Sequence, residues 1–392
     1  MSAPYSRPAA AAAGDREPVG DGLADAVNEP VLPDYAGANV RAIVPALLGP
    51  TRELPRWMPE ALADARQVVL LVLDGLGWHQ LQEHRDVAPT LAAMSGRAIT
   101  TVCPTTTATA LTSITTGLTP GEHGVIGYRI ELAGDIVNTL RWSSERGDMR
   151  RKHPPSEVQP FTPFLGHRVP VVSRTELESS GFSEAHLRGC KPVGWRSTSS
   201  IAVEIHQQLV AGEPFVYAYY DGVDKIAHER GFGAYYEAEL RTADRLVGDV
   251  ITALPTGSAL VVVADHGQVQ VGGQTMPPAA EVLALTDHQS GEGRFRWLHA
   301  KPGAAGELLA AASAAHGSVA WVVNREQVLE EGWLGQVVSP PVARRLGDVA
   351  LVAHAPISFH DPLDTGPFQL VCRHGSLTPA EIDVPFLVAT AG

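Results

Sequence analysis

Three aspartates lie at or just beyond the ends of apolar runs, and two of them have a histidine close by. Asp74 and Asp265 each follow such a run directly, and His266 is the neighbour of Asp265. Asp224 follows a third run at short distance, and His228 lies four residues after it, a spacing that lets one helical turn direct both side chains at a single ion. Carboxylate and imidazole ligands without a thiolate suit zinc, manganese or a similar divalent ion.

Each of these motifs, taken alone, has a simpler explanation than metal binding. Asp74-Gly75 after a strand is a common turn, and a single Asp-x-x-x-His pair is more often found on a helix surface. Asp265-His266-Gly267 is more suggestive but short. Ligand sites in open parallel sheets form outside the carboxyl ends of the strands. Three such clusters after three separate strands therefore favour a metal site.

The elements that must position these residues alternate between strands and helices. Continuous apolar runs and short β-rich segments predict strands at 68–73, 169–173, 214–220 and 259–264. Helical spacing predicts helices at 39–48, 105–116, 198–210 and 235–254. This alternation predicts an α/β fold with a mainly parallel central sheet flanked by helices.

The chain divides into an arm, a large domain and an inserted module. Residues 1–35 are rich in Ala, Pro, Asp and Glu without periodicity, which predicts a mobile N-terminal arm before a catalytic domain over 36–392. The stretch at about 290–365 has strands and helices of its own, so we predict a small α/β module inserted into the main domain. Residues 129–166 contain four prolines, and we predict irregular structure there that could form a rim or lid.

The net charge and the cysteine content limit the kinds of molecule that the protein could bind and the compartment in which it could work. The 392 residues carry a formal net charge of −13, which argues against a protein that coats long DNA or RNA, because that role needs a basic face. The charge is compatible with small phosphorylated substrates, since bound metal ions reverse the local field. Three cysteines without a CxxC pair fit a reducing cytoplasm. With neither a signal-peptide pattern nor a membrane-length apolar run, we predict a cytoplasmic protein without a membrane partner.

The order of the motifs resembles a known family. The set consists of VLLVLDG at Val69–Gly75, PTTTATALTSITTGL at Pro104–Leu118, PGEHG at Pro120–Gly124, Asp224–His228, ADHG at Ala264–Gly267, and His374-Gly375. Together these motifs resemble the nucleotide pyrophosphatase/phosphodiesterase branch of the alkaline-phosphatase superfamily, over roughly residues 66–390. The individual motifs are short, but as an ordered set they are highly specific. The resemblance implies an alkaline-phosphatase-like fold.

The resemblance also implies a cofactor and site residues. Members of this family use two metal ions, usually zinc, bridged by the substrate phosphate and a threonine nucleophile. Counted back without gaps from Thr-Gly-Leu at 116–118, that nucleophile falls on Thr107, which would also contact the metals. The implied ligands are Asp74, Asp265 and His266 for one ion, and Asp224, His228 and His374 for the other. The expected cofactor is therefore two divalent ions, zinc or alternatively manganese.

The implied chemistry agrees with the predicted elements. Thr107 lies near the start of a predicted helix, where the dipole and free N–H groups favour a phosphate. A threonine hydroxyl needs activation by a base or a metal, and two ions about 4 Å apart can stabilise the attacking and leaving oxygens. We expect Thr107 to attack phosphorus and form a phosphothreonine, which water then hydrolyses. Capping of the helix accounts for one of the neighbours, Thr105 or Thr106.

The predicted function is hydrolysis of phosphodiester or pyrophosphate bonds in small, nucleotide-like substrates. Ala110 stands where the resemblance leads us to expect an asparagine that contacts phosphate, so another donor must replace it or the substrate differs. The candidate donors are Tyr128, Arg129, Lys225 and Arg373. The same ligands would serve a phosphomonoesterase or a phosphonate hydrolase. A metal- and phosphate-binding protein without turnover is a further alternative.

Overall fold

A seven-stranded sheet forms the centre of the computed structural model, which describes residues 29–51, 54–364 and 370–391. Six strands run parallel, and the strand Asp383–Thr390 is antiparallel to both of its neighbours. In spatial order the strands are Ser95–Thr100, Asp383–Thr390, Ser258–Val263, Gln67–Leu73, Phe215–Tyr220, Pro170–Arg174 and Lys191–Trp195. The predicted α/β fold with a mainly parallel sheet is confirmed.

The middle of the sheet consists of strands that are apolar on both faces. Gln67–Leu73 pairs in parallel with Ser258–Val263 on one side and with Phe215–Tyr220 on the other. Nearly every residue of these three strands is buried, as expected when helices cover both faces of a parallel sheet. Their bounds differ from the predicted ones by one residue.

Helices flank the central sheet and also cover the second sheet described below. The α-helices are Ile43–Leu48, Trp78–Glu83, Pro89–Ala93, Thr107–Thr116, Pro120–His123, Pro155–Val158, Gly181–Leu187, Ile201–Val210, Gly222–Arg230, Ala234–Ala253, Ala280–Leu285, Ala305–His316, Arg325–Glu330, Pro340–Ala343 and Pro379–Ile382. Short 3-10 helices are Val40–Ala42, Glu60–Leu62, Pro163–Gly166, Thr175–Leu177 and Thr198–Ser200. No helix of the described ranges is both long enough and apolar enough to cross a membrane.

The part of the chain between the central strands Ser258–Val263 and Asp383–Thr390 forms a second, antiparallel sheet. Its strands, in spatial order, are Thr286–Gly291, Phe295–Ala300, Val349–Ala353 and Ala320–Asn324. Alternate side chains point to opposite faces. Phe295 and Trp297 pack with Trp333 in one apolar cluster, whereas Leu298 packs with Leu308 of a covering helix in another. We refer to this sheet and its covering helices as the inserted module; its first strand begins a few residues before the predicted position of about 290, and an apolar cluster lies on each face.

The prediction of irregular structure over 129–166 is wrong for its first half. Four short antiparallel strands occupy Arg129–Leu132, Asp135–Asn138, Ser143–Ser144 and Gly147–Asp148. The first two are joined by Ala133 and Gly134, both with positive φ, which matches the twist of a tight hairpin. Ile130 and Val137 are buried beneath them. Strands of four residues or fewer leave too short an alternation to stand out in the sequence.

The predicted N-terminal arm lies mostly outside the described residues, since only 29–35 of it are described. This part contacts the domain. The Val31 N–H donates to the Leu377 carbonyl at 3.0 Å, and the Tyr35 hydroxyl donates to the Trp333 carbonyl at 2.9 Å. These hydrogen bonds tie residues 31–35 to the domain.

A buried ion pair joins the inserted module to the chain that precedes the last strand. Arg294 and Glu381 are both fully buried, and two parallel N–H···O bonds of 2.8 Å link them. Arg294 also donates to backbone carbonyls at Ala353, Ala355 and Ile357. Glu381 accepts from the Ser376 N–H and from the Thr378 hydroxyl. The pair therefore fixes the segment 374–378 against the module.

Removing the charge of Glu381 should destabilise the protein strongly. We expect Glu381→Gln to lower the free energy of unfolding by about 3–5 kcal/mol, because it leaves the buried Arg294 charge uncompensated. Glu237→Gln, which breaks an exposed i,i+4 pair with Arg241, is the control and should cost about 0–1 kcal/mol. Urea unfolding of the three proteins measures the difference. Equal stability of the two variants would contradict a bracing role for the buried pair.

Candidate metal centre and active site

The predicted site residues converge at one edge of the central sheet. Asp74 directly follows the strand Gln67–Leu73, and Asp265 lies two residues after the end of the strand Ser258–Val263, so both stand at carboxyl ends. Asp224 lies in the first turn of the helix Gly222–Arg230, which begins just after a third strand. Parallel strands thus deliver three carboxylates to one place, as the sequence predicts.

Two sets of possible metal donors share one histidine. Asp74, Asp265 and His266 form one set, and Asp224, His266 and His374 form the other; within each set the donor atoms lie within 4.8 Å of one another. His228 lies next to the second set rather than within it. Its Nε2 is 3.2 Å from Asp224 Oδ1, and its ring centroid is 5.2 Å from that of His374. All six residues implied by the resemblance are therefore brought together.

Backbone carbonyls orient the three histidine rings in the same way. The Nδ1 atoms of His228, His266 and His374 lie 2.6, 3.1 and 2.8 Å from carbonyl oxygens of Cys372, Gly267 and Thr105, respectively. A carbonyl can only accept a hydrogen bond, so each Nδ1 carries the proton and each Nε2 keeps its lone pair. Metal-binding histidines typically donate their second ring N–H in this manner. The three Nε2 atoms are thus prepared as ligands.

The carboxylates are also held, but not fully satisfied. Tyr219 donates its hydroxyl to Asp74 Oδ2, the Gly75 N–H donates to Asp265 Oδ1 at 3.0 Å, and the Gln268 amide donates to Asp224 Oδ1 at 3.0 Å. Asp74 Oδ1 and Asp265 Oδ2 are buried and have no hydrogen-bond partner among the described residues. A buried carboxylate oxygen without a partner is costly unless a cation binds it.

The charges of the site point to bound cations. Burial raises the pKa of Asp74 well above its ordinary value, and the nearby carboxylates Asp265 and Asp224 raise it further. Burial is also the main cause of the raised pKa of Asp224 and of Asp265. In His266 and His374, burial lowers the pKa, well below the usual range for His374. Divalent cations would offset the clustered negative charge and favour ionised carboxylates with neutral imidazoles. The residues therefore fit a metal site of carboxylate and imidazole ligands.

Thr107 is placed beside these donors. Its Oγ lies 3.1 Å from His266 Nε2, and it is the first residue of the helix Thr107–Thr116. The N-cap residue Thr106 makes no side-chain capping hydrogen bond. The N–H groups of the first turn and the positive end of the dipole therefore remain available to an anion near Thr107.

The neighbouring positions differ in their surroundings. The Thr105 hydroxyl donates to the Ser376 carbonyl at 2.8 Å and accepts from the Gly375 N–H at 2.9 Å, so it fixes the loop that carries His374. Ala110 is completely buried and lines neither cavity beside Thr107. Ala110 offers no polar side-chain group, so any phosphate donor must come from another residue, as the sequence analysis expects.

Two cavities meet at Thr107. The smaller, of about 230 Å³, is bounded mainly by apolar and aromatic side chains: Leu111, Leu140, Leu177, Phe182, Leu187, Tyr217 and Tyr219. The larger, of about 820 Å³, is lined mostly by polar residues, whose apolar atoms also form part of its wall; among them are Tyr128, Arg141, Lys225, His228, Glu292, His360 and Arg373.

Three of the four proposed phosphate donors, Tyr128, Lys225 and Arg373, line the larger cavity. Lys225 borders both cavities and is held by Asp221. Arg129 is buried and paired with Asp361, which gives it a structural partner.

Sequence reasoning missed several residues that shape the site. Tyr219 and Gln268 position two of the carboxylates, and Glu292 enters the larger cavity from the inserted module. Tyr219 lies five residues before Asp224 in an apolar strand, where an aromatic residue reads as core. Gln268 follows the ADHG motif directly, and that proximity was the one available signal.

The chain is similar to proteins of a known family. A family model described as type I phosphodiesterase/nucleotide pyrophosphatase matches residues 68–376. No curated protein gives a significant sequence match.

Similar solved structures include human ectonucleotide pyrophosphatase/phosphodiesterase 5, with a TM-score of 0.62 at 16% identity, covering 83% of this chain and 88% of that chain. An inactive threonine-to-alanine variant of the murine protein, in complex with AMP, has a TM-score of 0.60 at 15% identity with the same coverage. Phosphonoacetate hydrolase from Sinorhizobium meliloti 1021, in complex with phosphonoformate, has a TM-score of 0.60 at 18% identity, covering 83% and 90%.

The two donor sets should bind about two divalent ions per chain. Elemental analysis of the dialysed protein tests this stoichiometry. Asp265→Asn should lower it and nearly abolish ester hydrolysis, because it removes a charged ligand of one set. Asp135→Asn, which changes a buried carboxylate outside both sets, is the control and should leave the metal content unchanged. Full activity of chelator-treated, metal-free protein would contradict metal dependence.

The Tyr219 hydroxyl should tune metal affinity without being a ligand. Tyr219→Phe removes the hydrogen bond to Asp74 Oδ2 and should weaken metal binding about 10- to 100-fold, as loss of an outer-shell partner does. Tyr217→Phe is a matched control, since this tyrosine lies on the same strand, is also buried, and its hydroxyl has no hydrogen-bond partner among the described residues. Competition with a chelating dye measures both affinities. Equal weakening in both variants would contradict the assignment.

Proposed function

Because the chain belongs to the type I phosphodiesterase/nucleotide pyrophosphatase family, a family of phosphoester hydrolases, we propose that it uses two divalent ions and Thr107 to cleave phosphodiester or pyrophosphate bonds in small, nucleotide-like substrates. The ions are zinc in this proposal, with manganese as the alternative. Asp74, Asp265 and His266 hold one ion; Asp224, His228 and His374 hold the other. Thr107 contacts the metals and serves as the nucleophile.

One observation carries this proposal. The Thr107 hydroxyl lies 3.1 Å from His266 Nε2, and His266 is the one residue shared by both donor sets. A nucleophile at that point lies beside the histidine common to both donor sets and beside the free N–H groups at the start of a helix. The inactivity of the threonine-to-alanine variant of the murine phosphodiesterase 5 supports a threonine in this role.

The two cavities favour a substrate with groups on both sides of the phosphorus. A phosphodiester has two organic substituents, and Thr107 borders both the apolar and the polar cavity. A phosphomonoester or a small phosphonate would leave one cavity without an occupant. The geometry therefore supports cleavage of diesters or pyrophosphates over the monoesterase and phosphonate alternatives.

The proposed reaction has two displacements. The Thr107 oxygen forms a bond to phosphorus while the bond from phosphorus to the first alcohol breaks, and that alcohol leaves with the threonine proton. A water molecule then attacks the phosphothreonine, the bond between phosphorus and Thr107 Oγ breaks, and the threonine regains a proton. The first-turn N–H groups hold the phosphoryl oxygens throughout. Bound divalent ions would lower the pKa of the threonine hydroxyl and offset the charge on the phosphoryl group.

The proposed donors of the first ion are shielded from water. Asp74, Asp265 and His266 are almost completely buried, so that interactions at this edge act in a low-dielectric environment. A metal- and phosphate-binding protein without turnover would have no need of a threonine beside the donors.

The cytoplasmic location stays a prediction; Cys103, Cys190 and Cys372 are all free thiols.

The sharpest test of the proposal distinguishes Thr107 from its neighbours. Thr107→Ala should keep the metals but lose turnover by several orders of magnitude, as removal of other covalent nucleophiles does. Thr107→Ser should retain part of the activity, because the hydroxyl remains while its χ1 becomes freer. Thr105→Ala is the control and should cost about 1–3 kcal/mol of stability through its two lost hydrogen bonds, with a milder effect on turnover.

Two displacements also predict overall retention of configuration at phosphorus. A substrate that is chiral at phosphorus, analysed after one turnover, measures this directly. Inversion would contradict the covalent intermediate and would point to direct attack by water. Near-normal turnover of Thr107→Ala would show that another residue is the nucleophile.

A further inference from the structure

The larger cavity contains a buried carboxylate that the chemistry at Thr107 does not use. Glu292 lies in the turn between the strands Thr286–Gly291 and Phe295–Ala300, so the inserted module supplies it. Only 6% of the residue is exposed, yet its Oε1 has no hydrogen-bond partner among the described residues. A buried acceptor without a partner is costly, and such a group in a native site calls for an explanation.

The surroundings of Glu292 hold it close to the nucleophile. A Cβ added at Gly375, next to the proposed ligand His374, would lie 2.8 Å from the Glu292 Cγ. A Cβ at Gly293 would lie 2.2 Å from Ser358 Oγ and 3.0 Å from the Arg373 guanidinium. These two glycines allow the tip of the hairpin to approach the site this closely. Glu292 Oε2 is 3.7 Å from His374 Nδ1, and both residues line the cavity that Thr107 borders.

A second unsatisfied group belongs to another side chain that lines the same cavity. Arg373 Nε is buried and has no hydrogen-bond partner among the described residues, and Arg373 lines the cavity together with Glu292. The Nε–H of Arg373 is a hydrogen-bond donor, and Oε1 of Glu292 is an acceptor. A ligand group that both donates and accepts can satisfy both atoms, and an alcohol hydroxyl has this property. Either protonation state of Glu292 leaves Oε1 able to accept, so this recognition does not depend on its charge.

We propose that Glu292, with Arg373, is a specificity-determining residue that binds a hydroxyl group of the substrate, so that the larger cavity takes a polyhydroxylated alcohol such as a glycerol or sugar unit. This inference rests on the proposed function, because the alcohol is one substituent of the phosphodiester cleaved at Thr107. The other lining side chains, which include Tyr128, Thr275 and His360, add further groups able to bind hydroxyls. The apolar cavity then receives the second substituent.

The test compares two substrates within each protein. The p-nitrophenyl phosphodiesters of glycerol and of propan-1-ol differ only in two hydroxyl groups. A site with buried polar groups rejects an analogue that cannot pair with them. We expect the metal-loaded wild type to prefer the glycerol ester at least about tenfold in kcat/KM, because the propyl ester leaves buried polar groups of the site without a partner.

Variants of Glu292 should remove this preference selectively. Glu292→Met cannot accept the hydrogen bond and should lower the ratio of kcat/KM for the glycerol ester to that for the propyl ester about tenfold or more. Glu292→Gln keeps an acceptor oxygen and should restore part of the preference. Asp287→Asn removes an exposed carboxylate of the same hairpin and is the matched control. The ratio of the two rates does not depend on the folded fraction, so reduced stability cannot mimic the result.

Binding separates this inference from the hydrolase function. In metal-loaded Thr107→Ala protein, calorimetry with glycerol 3-phosphate and with propyl phosphate should show the same preference, and adding Glu292→Met should remove it. An unchanged preference in the Glu292→Met protein, in rate or in binding, would overturn the role of Glu292. A preference in binding together with an inactive wild type would contradict the hydrolase function and leave the role of Glu292 supported.

Discussion

Like charges packed at one edge of the sheet are the constraint on which the rest of the structure depends. Asp74 and Asp265 are almost fully buried, and Asp224 lies close enough to act on both electrostatically. In a low-dielectric environment such carboxylates repel one another and oppose folding unless cations or donors compensate them. The chain compensates each one partly, with a hydroxyl, a backbone N–H and an amide, and leaves two oxygens open. The open oxygens mark where positive charge must be added.

The scaffold follows from this requirement. Three strand ends bring the carboxylates together, but His374 comes from a separate loop, and that loop must be held by other means. Thr105 accepts the N–H of Gly375 and donates to the Ser376 carbonyl, and the buried pair of Arg294 with Glu381 holds the same loop from the other side. The inserted module thus takes part in the geometry of the site as well as in the shape of its larger cavity.

The strongly apolar strands and the motifs that end them could be predicted from the sequence. Runs of Val and Leu define two of the three middle strands, Val and aromatic residues define the third, and the ordered motifs contain Thr107 and the predicted donors, whose side chains the fold brings together. The edge strand Ser95–Thr100 was not predicted, because it is half exposed and begins with Ser, Gly and Arg. Tyr219 and Glu292 could not be assigned either. Their roles depend on contacts across the fold, and a tyrosine in a strand or a glutamate in a Gly-Glu-Gly turn gives no local sign of them.

The position of Asp383–Thr390 has a consequence for how the protein is made. This strand lies inside the central sheet, between Ser95–Thr100 and Ser258–Val263, yet it leaves the ribosome after both. Until it emerges, the nascent chain must keep an apolar strand without its neighbour, and long-range pairing of this kind is slow and prone to aggregation. His374 emerges almost as late. The full set of proposed donors is therefore complete only after most of the central sheet has been synthesised, and until then the growing chain exposes an apolar sheet edge.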